Sequence, residues 1–265
     1  MSQRLFEGKV VVITGASSGI GREMAIQLAQ KGAYPILIAR SQSKLETLKK
    51  EIISQYQGEA DYYILDVSIL EEVEKVFNMI IKKYQRIDIL INNAGYGTFD
   101  YFLDSSIESI KKMFNVNVFG LMACSQSVIP YMMKQKEGHI VNIASIAGKV
   151  ATPKSAAYAA SKHAVLGLTN AIRMELKGTG INVTAINPGP IRTPFFRTAD
   201  PSGEYVKNIE RFLLEPAKVA HQVILAIEKR KREVDMPRLL ALGTWLYQCF
   251  PGISEKFAGK LLDKK

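Results

Sequence analysis

The chain alternates short apolar runs with longer amphipathic ones, and few folds tolerate that rhythm. "KVVVIT" (9–14), "YPILIA" (34–39), "ADYYIL" (60–65), "IDILI" (87–91), "HIVNIA" (139–144) and "INVTAI" (181–186) read as buried strands. Segments near 20–31, 42–57, 69–85, 106–134, 156–177 and 216–230 read as helices, and "REVDM" (232–236) as a possible short strand. Strands that alternate with helices this regularly pair in parallel, because a parallel pair needs a crossover connection. Those crossovers, expected to be right-handed, cover both faces of the sheet. The expectation is one α/β domain over residues 1–265, built on a doubly wound parallel sheet of six or seven strands. No linker, repeat or low-complexity segment divides it.

Two local patterns carry chemistry. After the first strand comes "TGASSGIG", Thr14 to Gly21, leading into a helix. Glycines 15, 19 and 21 let the backbone turn sharply, so that Ser17, Ser18 and Ile20 lie beside a helix N-terminus whose N–H groups and dipole favour a pyrophosphate. The second pattern is "SAAYAASKHAV" (155–165), with Tyr158 and Lys162 four apart on one helix face among small residues. A tyrosine capping a lysine stem at a surface is the bland reading. The chemical one is that a fixed cation makes the phenol a better acid–base catalyst, while the alanines let the helix approach a ligand closely. Ser145, at the end of a strand in "NIASIAG", is placed to bond a substrate oxygen.

With the spacing TGxxxGxG, "DV" (66–67), "NNAG" (92–95), "NVNVFG" around Asn117, Ser145, Tyr158/Lys162 and "NPGPIRT" (187–193), the chain resembles the short-chain dehydrogenase/reductases over about residues 7–195. The resemblance implies a Rossmann-like sheet and hydride transfer between a nicotinamide dinucleotide and a carbonyl or secondary alcohol. It implies that Ser145, Tyr158, Lys162 and Asn117 are catalytic, with Lys162 also binding ribose hydroxyls and Asn117 holding a water that relays protons to Lys162. It implies that Asp66 and Val67 hold the adenine, that Asn93 steadies the central strand, with Ala94 and Gly95 lining the ribose, and that Pro188, Gly189, Ile191 and Thr193 lie along the nicotinamide. Where an acidic residue would bond both ribose hydroxyls and repel a 2′-phosphate, the second strand ends in Ala39, followed by Arg40 and Ser41. A guanidinium beside a hydroxyl suits a phosphate, so NADP(H) is expected over NAD(H). Ser18 stands at the family's other phosphate-binding position, which is basic in many members.

The net charge of +10 is spread along the chain, apart from "KRKR" at 229–232. Aromatic residues do not interleave with the basic ones, so nucleic acid is not an expected partner. Cys124 and Cys249 have no metal-like spacing, and His139, His163 and His221 form no ligand pair, so neither a disulfide nor a metal is expected. The start carries no long apolar stretch before the first strand, and the expected location is cytoplasmic. Residues 190–215 are expected to form a substrate lid in which Phe195, Phe196, Tyr205, Phe212, Leu213 and Leu214 cover an apolar ketone, aldehyde or alcohol. The extension over 237–265 combines "LLALGTWLYQCF" with a stripe of Ile253, Phe257 and Leu261 beside Lys256, Lys260 and Lys264. Such a segment can cover the substrate mouth, dock on a neighbouring subunit or lie on a membrane surface. By resemblance the chain forms a homodimer or homotetramer. Two other functions fit the sequence: a 3-oxoacyl-thioester reductase of fatty-acid synthesis, and a dinucleotide-binding sensor or scaffold without turnover.

Overall fold

The computed structural model describes residues 5–250 and Gly252. The chain runs β1 (Val10–Thr14), α1 (Gly19–Gln30), β2 (Tyr34–Ala39), α2 (Gln42–Tyr56), β3 (Asp61–Ile64), α3 (Leu70–Tyr84) and β4 (Ile89–Asn92). There follow α4 (Ile107–Phe114), α5 (Leu121–Gln135), β5 (Gly138–Ile143), α6 (Ala156–Glu175) and β6 (Ile181–Pro188). Last come α7 (Phe196–Ala199), α8 (Glu204–Ile209), α9 (Pro216–Glu228), β7 (Glu233–Met236) and α10 (Arg238–Cys249). The seven strands form one sheet in the order β3-β2-β1-β4-β5-β6-β7, every pair parallel. "REVDM" is the seventh strand, paired with β6 at the edge.

Side-chain alternation along the strands builds two apolar layers. Val11 and Ile13 of β1 pack with Met24 and Leu28 of α1, Leu48 of α2 and Val223 of α9, whereas Val10 and Val12 meet Phe77 of α3, Val128 of α5 and Ile172 of α6. Phe77 is fully buried, and truncating such a ring to alanine costs about 3–5 kcal/mol. The reversal of strand order between β1 and β4 opens a crevice at the carboxyl ends of the strands, and loops from both halves of the sheet converge there.

Two expectations need correction. The strand at 60–65 is not buried throughout: β3 is an edge strand whose residues are partly exposed, Ile64 most of all, because no strand among the described residues pairs on its outer side. The helix expected over 106–134 is not a plain α-helix. It begins at Ile107, and Asn115–Gly120 form a π-helical turn between α4 and α5. That turn puts Asn117 and Val118 inward, and a Cβ on Gly120 would lie 2.6 Å from the Val67 carbonyl oxygen. Among the described residues Ile107–Gln135 is long and apolar enough to cross a membrane, but here Met113, Cys124, Val128 and Met132 are buried within the protein. The apolar run at 239–250 forms most of α10. The stripe of Ile253, Phe257 and Leu261 with Lys256, Lys260 and Lys264 lies outside the described residues.

Candidate active site

A cavity of about 1040 Å³ lies where the loops after β1 to β6 meet. At one end stands the glycine-rich turn. Gly15 and Gly19 have φ of +66° and +57°, in the left-handed region that favours glycine, and a Cβ on Gly21 would lie 2.4 Å from the Gly15 carbonyl oxygen. The turn therefore folds tightly onto α1. Ser18 at its N-cap makes no capping side-chain bond and the first turn holds no acidic residue, which leaves the positive end of the helix facing the cavity. Asn93 locks this arrangement: its Nδ2 donates to the carbonyls of Thr14 (2.9 Å) and Gly15 (3.2 Å). Thr14 answers by accepting the backbone N–H groups of Asn93 and Ala94 on its hydroxyl, both at 3.0 Å. Thr14 was not among the residues the sequence singled out, since its hydroxyl acts across a gap of 79 positions.

Ser17, Ser18, Gly19, Ile20, Arg40, Ser41, Asp66, Val67, Ala94 and Gly95 all line the cavity with these residues. Burial pushes the Asp66 carboxyl upward, but the N–H and O–H of Ser68 and the nearby Arg40 outweigh it and hold the carboxyl below its ordinary value. Arg40 lies 3.7 Å from Asp66, with its side chain 78% exposed, so its fork remains available to a further anion. A tight glycine turn, a helix N-terminus and a cationic far end fit the shape and charge of a dinucleotide. Gly21 does not line the cavity; it acts behind the wall by letting α1 approach the turn.

Ser145, Tyr158 and Lys162 meet midway along the cavity. Ser145 caps a short turn after β5, accepting the Ala147 N–H (3.1 Å) while donating to the Pro188 carbonyl (3.3 Å). One turn along α6, Lys162 is buried; its Nζ donates to the Ile143 carbonyl (2.9 Å) and sits 5.8 Å from the centroid of the Tyr158 ring. Among the described residues no carboxylate pairs with it in a salt bridge. Burial brings the Lys162 ammonium down to about 8 and pushes the Tyr158 phenol up to about 12. In the protein alone burial dominates at Tyr158 and the neighbouring Ser145 acts the other way; the lowering expected from Lys162 together with an oxidised nicotinamide belongs to the loaded site. Asn117 lies just behind the cavity wall, its side chain gripping the loop after β4. Its Oδ1 accepts the Tyr96 N–H (3.0 Å), and its Nδ2 donates to the Tyr96 carbonyl (2.8 Å) and the Ser161 hydroxyl (3.1 Å).

Pro188, Gly189, Ile191 and Thr193 lead from β6 along the wall to the far end, which is aromatic. There Phe99, Phe195, Phe196 and Tyr205 form a continuous cluster, with Tyr158 5.6 Å from Phe195 and 6.1 Å from Phe99 between ring centroids. Phe212 joins them on the wall. Leu213 and Leu214, expected there too, do not: Leu214 bridges to Ile191 and packs on the apolar core instead. Among the described residues the charged ones lining the cavity are Arg40, Lys44, Asp66 and Lys162, none of them in the aromatic group. Phe99, Thr244 and Tyr247 belong to the wall without having been singled out in the sequence. Phe99 sits just beyond "NNAG", and α10 brings Gly243, Thr244 and Tyr247 to the cavity, so that part of the extension lines it.

The model of a family described as short chain dehydrogenase matches residues 9–202. The 3-oxoacyl-acyl-carrier-protein reductase of Thermotoga maritima is 40% identical over 71% of this chain and 76% of its own length. Dehydrogenase/reductase SDR family member 7B of Xenopus tropicalis is 34% identical over 97% of this chain and 86% of its own. Among solved structures, a short chain dehydrogenase/reductase from Burkholderia phymatum in complex with NAD superposes with a TM-score of 0.86 at 26% identity, covering 94% of this chain and 95% of the other.

Proposed function

The chain belongs to the short-chain dehydrogenase family, and from that premise we propose that it is an NADP(H)-dependent reductase of neutral, apolar ketones or aldehydes. The observation that carries the reading is the meeting of Ser145, Tyr158 and buried Lys162 between a glycine-lined end and an aromatic end of one cavity. When bound, the dinucleotide supplies the hydride that reaches the carbonyl carbon. The turn from Gly15 to Gly21 and the α1 dipole would hold its pyrophosphate, and Asp66 and Val67 would hold the adenine. Ala94, Gly95 and Lys162 would hold the second ribose while Asn93 steadies the strand beside it, and Pro188, Gly189, Ile191 and Thr193 would lie along the nicotinamide. The Ser145 hydroxyl bonds the carbonyl oxygen and fixes its direction. As the carbon–hydrogen bond forms, Tyr158 gives its proton to that oxygen, leaving an alcohol and a phenolate that the Lys162 cation stabilises. Tyr158 carries its proton at neutral pH and so can act as the acid in the reductive direction. Asn117, by clamping Tyr96, keeps the loop after β4 in place beside Lys162.

NADPH oxidation against a panel of carbonyl compounds tests the reading. Bulky apolar ketones should turn over, and Tyr158→Phe should lower kcat at least about a hundredfold while NADPH still binds. Tight NADPH binding without turnover across the panel would favour a sensor instead. The preference for NADPH rests on Arg40: Arg40→Ala should weaken NADPH about tenfold or more with little effect on NADH, given the strength of charge-assisted bonds. A second reading, reduction of 3-oxoacyl thioesters, is favoured by the likeness to the Thermotoga reductase and by the basic net charge. A 3-oxoacyl thioester in the panel separates the two.

A further inference from the structure

The turn that carries Ser145 is held from two sides. On one side it presses on α6, where a Cβ on Gly148 would lie 2.7 Å from the Lys162 carbonyl oxygen. On the other, Lys149 reaches the sheet edge, where its Nζ lies 2.7 Å from Glu233 and 2.7 Å from Asp235. These carboxylates sit two apart on β7 and so share a face. Between them lies Asn187 of β6, wholly buried and in register with Asp235, whose Nδ2 donates to Glu233 (2.6 Å) and Asp235 (2.7 Å). The next residue, Pro188, supplies the carbonyl that accepts from Ser145, and Gly189 donates its N–H to Met236 (2.7 Å), two residues before α10 begins.

We propose that Lys149 is a positioning residue: its bridge to Glu233 and Asp235 fixes the Ser145 turn against β6 and β7, setting both the Ser145 hydroxyl and the α10 wall of the substrate end. The inference rests on the carbonyl-reduction reading of the site. Two adjacent carboxylates repel each other, and one amide cannot neutralise them; the ammonium of Lys149 makes their shared face tenable. Without it the carboxylates turn toward water, β7 shifts, and both the Pro188 carbonyl and α10 move with it. The glycine-rich turn follows β1, which three strands separate from β7.

The test compares Lys149→Met, Lys149→Arg and the milder Asp235→Asn with the unaltered chain. Three readouts are taken: carbonyl kinetics, NADPH affinity by fluorescence titration, and hydrogen exchange of the backbone amides. In Lys149→Met, kcat/KM for the carbonyl should fall about tenfold or more while NADPH affinity falls clearly less, and Lys149→Arg should recover most of the loss. The Ala147 amide, which donates to Ser145, should exchange faster while the amides of β1 keep their protection. If Lys149→Met fails to fold, Asp235→Asn carries the same expectations. Unchanged carbonyl kinetics and Ala147 exchange would overturn the proposal, as would a parallel loss of NADPH affinity. If the unaltered chain reduces no carbonyl, the functional reading fails, and exchange at Ala147 alone decides whether Lys149 holds the turn.

Discussion

Tyr158 and Lys162 were legible because residue type and spacing alone put a phenol and an ammonium on one helix face. Their protonation was not, since it is set by burial under elements distant in sequence. Nor was the seat of the phenol ring. A Cβ on Gly97 would lie 2.7 Å from Cδ2 of Tyr158 and 3.1 Å from Cζ of Phe195, well inside the roughly 3.5–4.0 Å at which carbon atoms rest in contact. The missing side chain lets the loop after β4 lie flat on the ring, and nothing in "GYG" announces that approach. Gly97→Ala must therefore push the ring or the loop aside. The expected outcome is a fall in kcat of about tenfold to a hundredfold, because a displacement near 1 Å at the reacting group is costly. NADPH affinity should change less than about twofold, since Gly97 lies beyond the glycine-rich turn. Steady-state kinetics beside a fluorescence titration would check both; an unchanged kcat would mean that the ring has slack.

At the scale of elements, the sequence showed where helices and strands lie but not how closely they pack. Hydrophobic period cannot distinguish a continuous α-helix from one carrying a π-turn, which is why the break at Asn115–Gly120 stayed hidden although Asn117 itself was legible. Close approach of α1 to the turn after β1 was readable only as a glycine at position 21. In the structure that position has no room, with the Gly15 carbonyl oxygen 2.4 Å and Asn93 Nδ2 2.6 Å from where a Cβ would sit. Both neighbours are fixed, one by the backbone and the other by its bonds to Thr14 and Gly15. Gly21→Ala should lower unfolding free energy by about 1–3 kcal/mol through overpacking. It should also weaken NADPH more than about tenfold, because α1 and the turn can no longer share one geometry. Gly167 in α6 is the contrast: a Cβ there meets nothing within 4 Å, and Gly167→Ala should stabilise by about 0.5–1 kcal/mol. Urea unfolding of both variants checks the pair, and equal effects would refute the close-packing account.

For the whole molecule, the strand–helix rhythm announced the parallel sheet, whereas the exposure of β3 followed from strand order, which the rhythm leaves open. A polar line through the sheet was equally out of reach. His139 of β5 is buried with Nε2 2.8 Å from the Thr184 hydroxyl of β6, and that hydroxyl donates onward to the Lys231 carbonyl before β7. A hydroxyl has one proton to give, so His139 donates from Nε2, a bond open to the neutral and the charged ring alike. Burial, aided by the charge of Arg230, lowers His139 to about 4. Its unfolded value is about 6.5, so between those limits the unfolded chain binds the extra proton. The neutral ring's contribution is therefore complete above pH 6.5 or so and is lost as pH falls toward 4. A shift of this size corresponds to about 3 kcal/mol. The carboxyls of Asp61 and Asp88, held below their ordinary values, lose their contributions only from about pH 4 downward, so the two ranges separate. Urea unfolding at pH 7 and pH 4.5 should show a drop of about 2–3 kcal/mol in the unaltered chain. In His139→Gln, where an amide can still donate to Thr184 but cannot titrate, most of that drop should vanish; an undiminished slope would place its origin elsewhere.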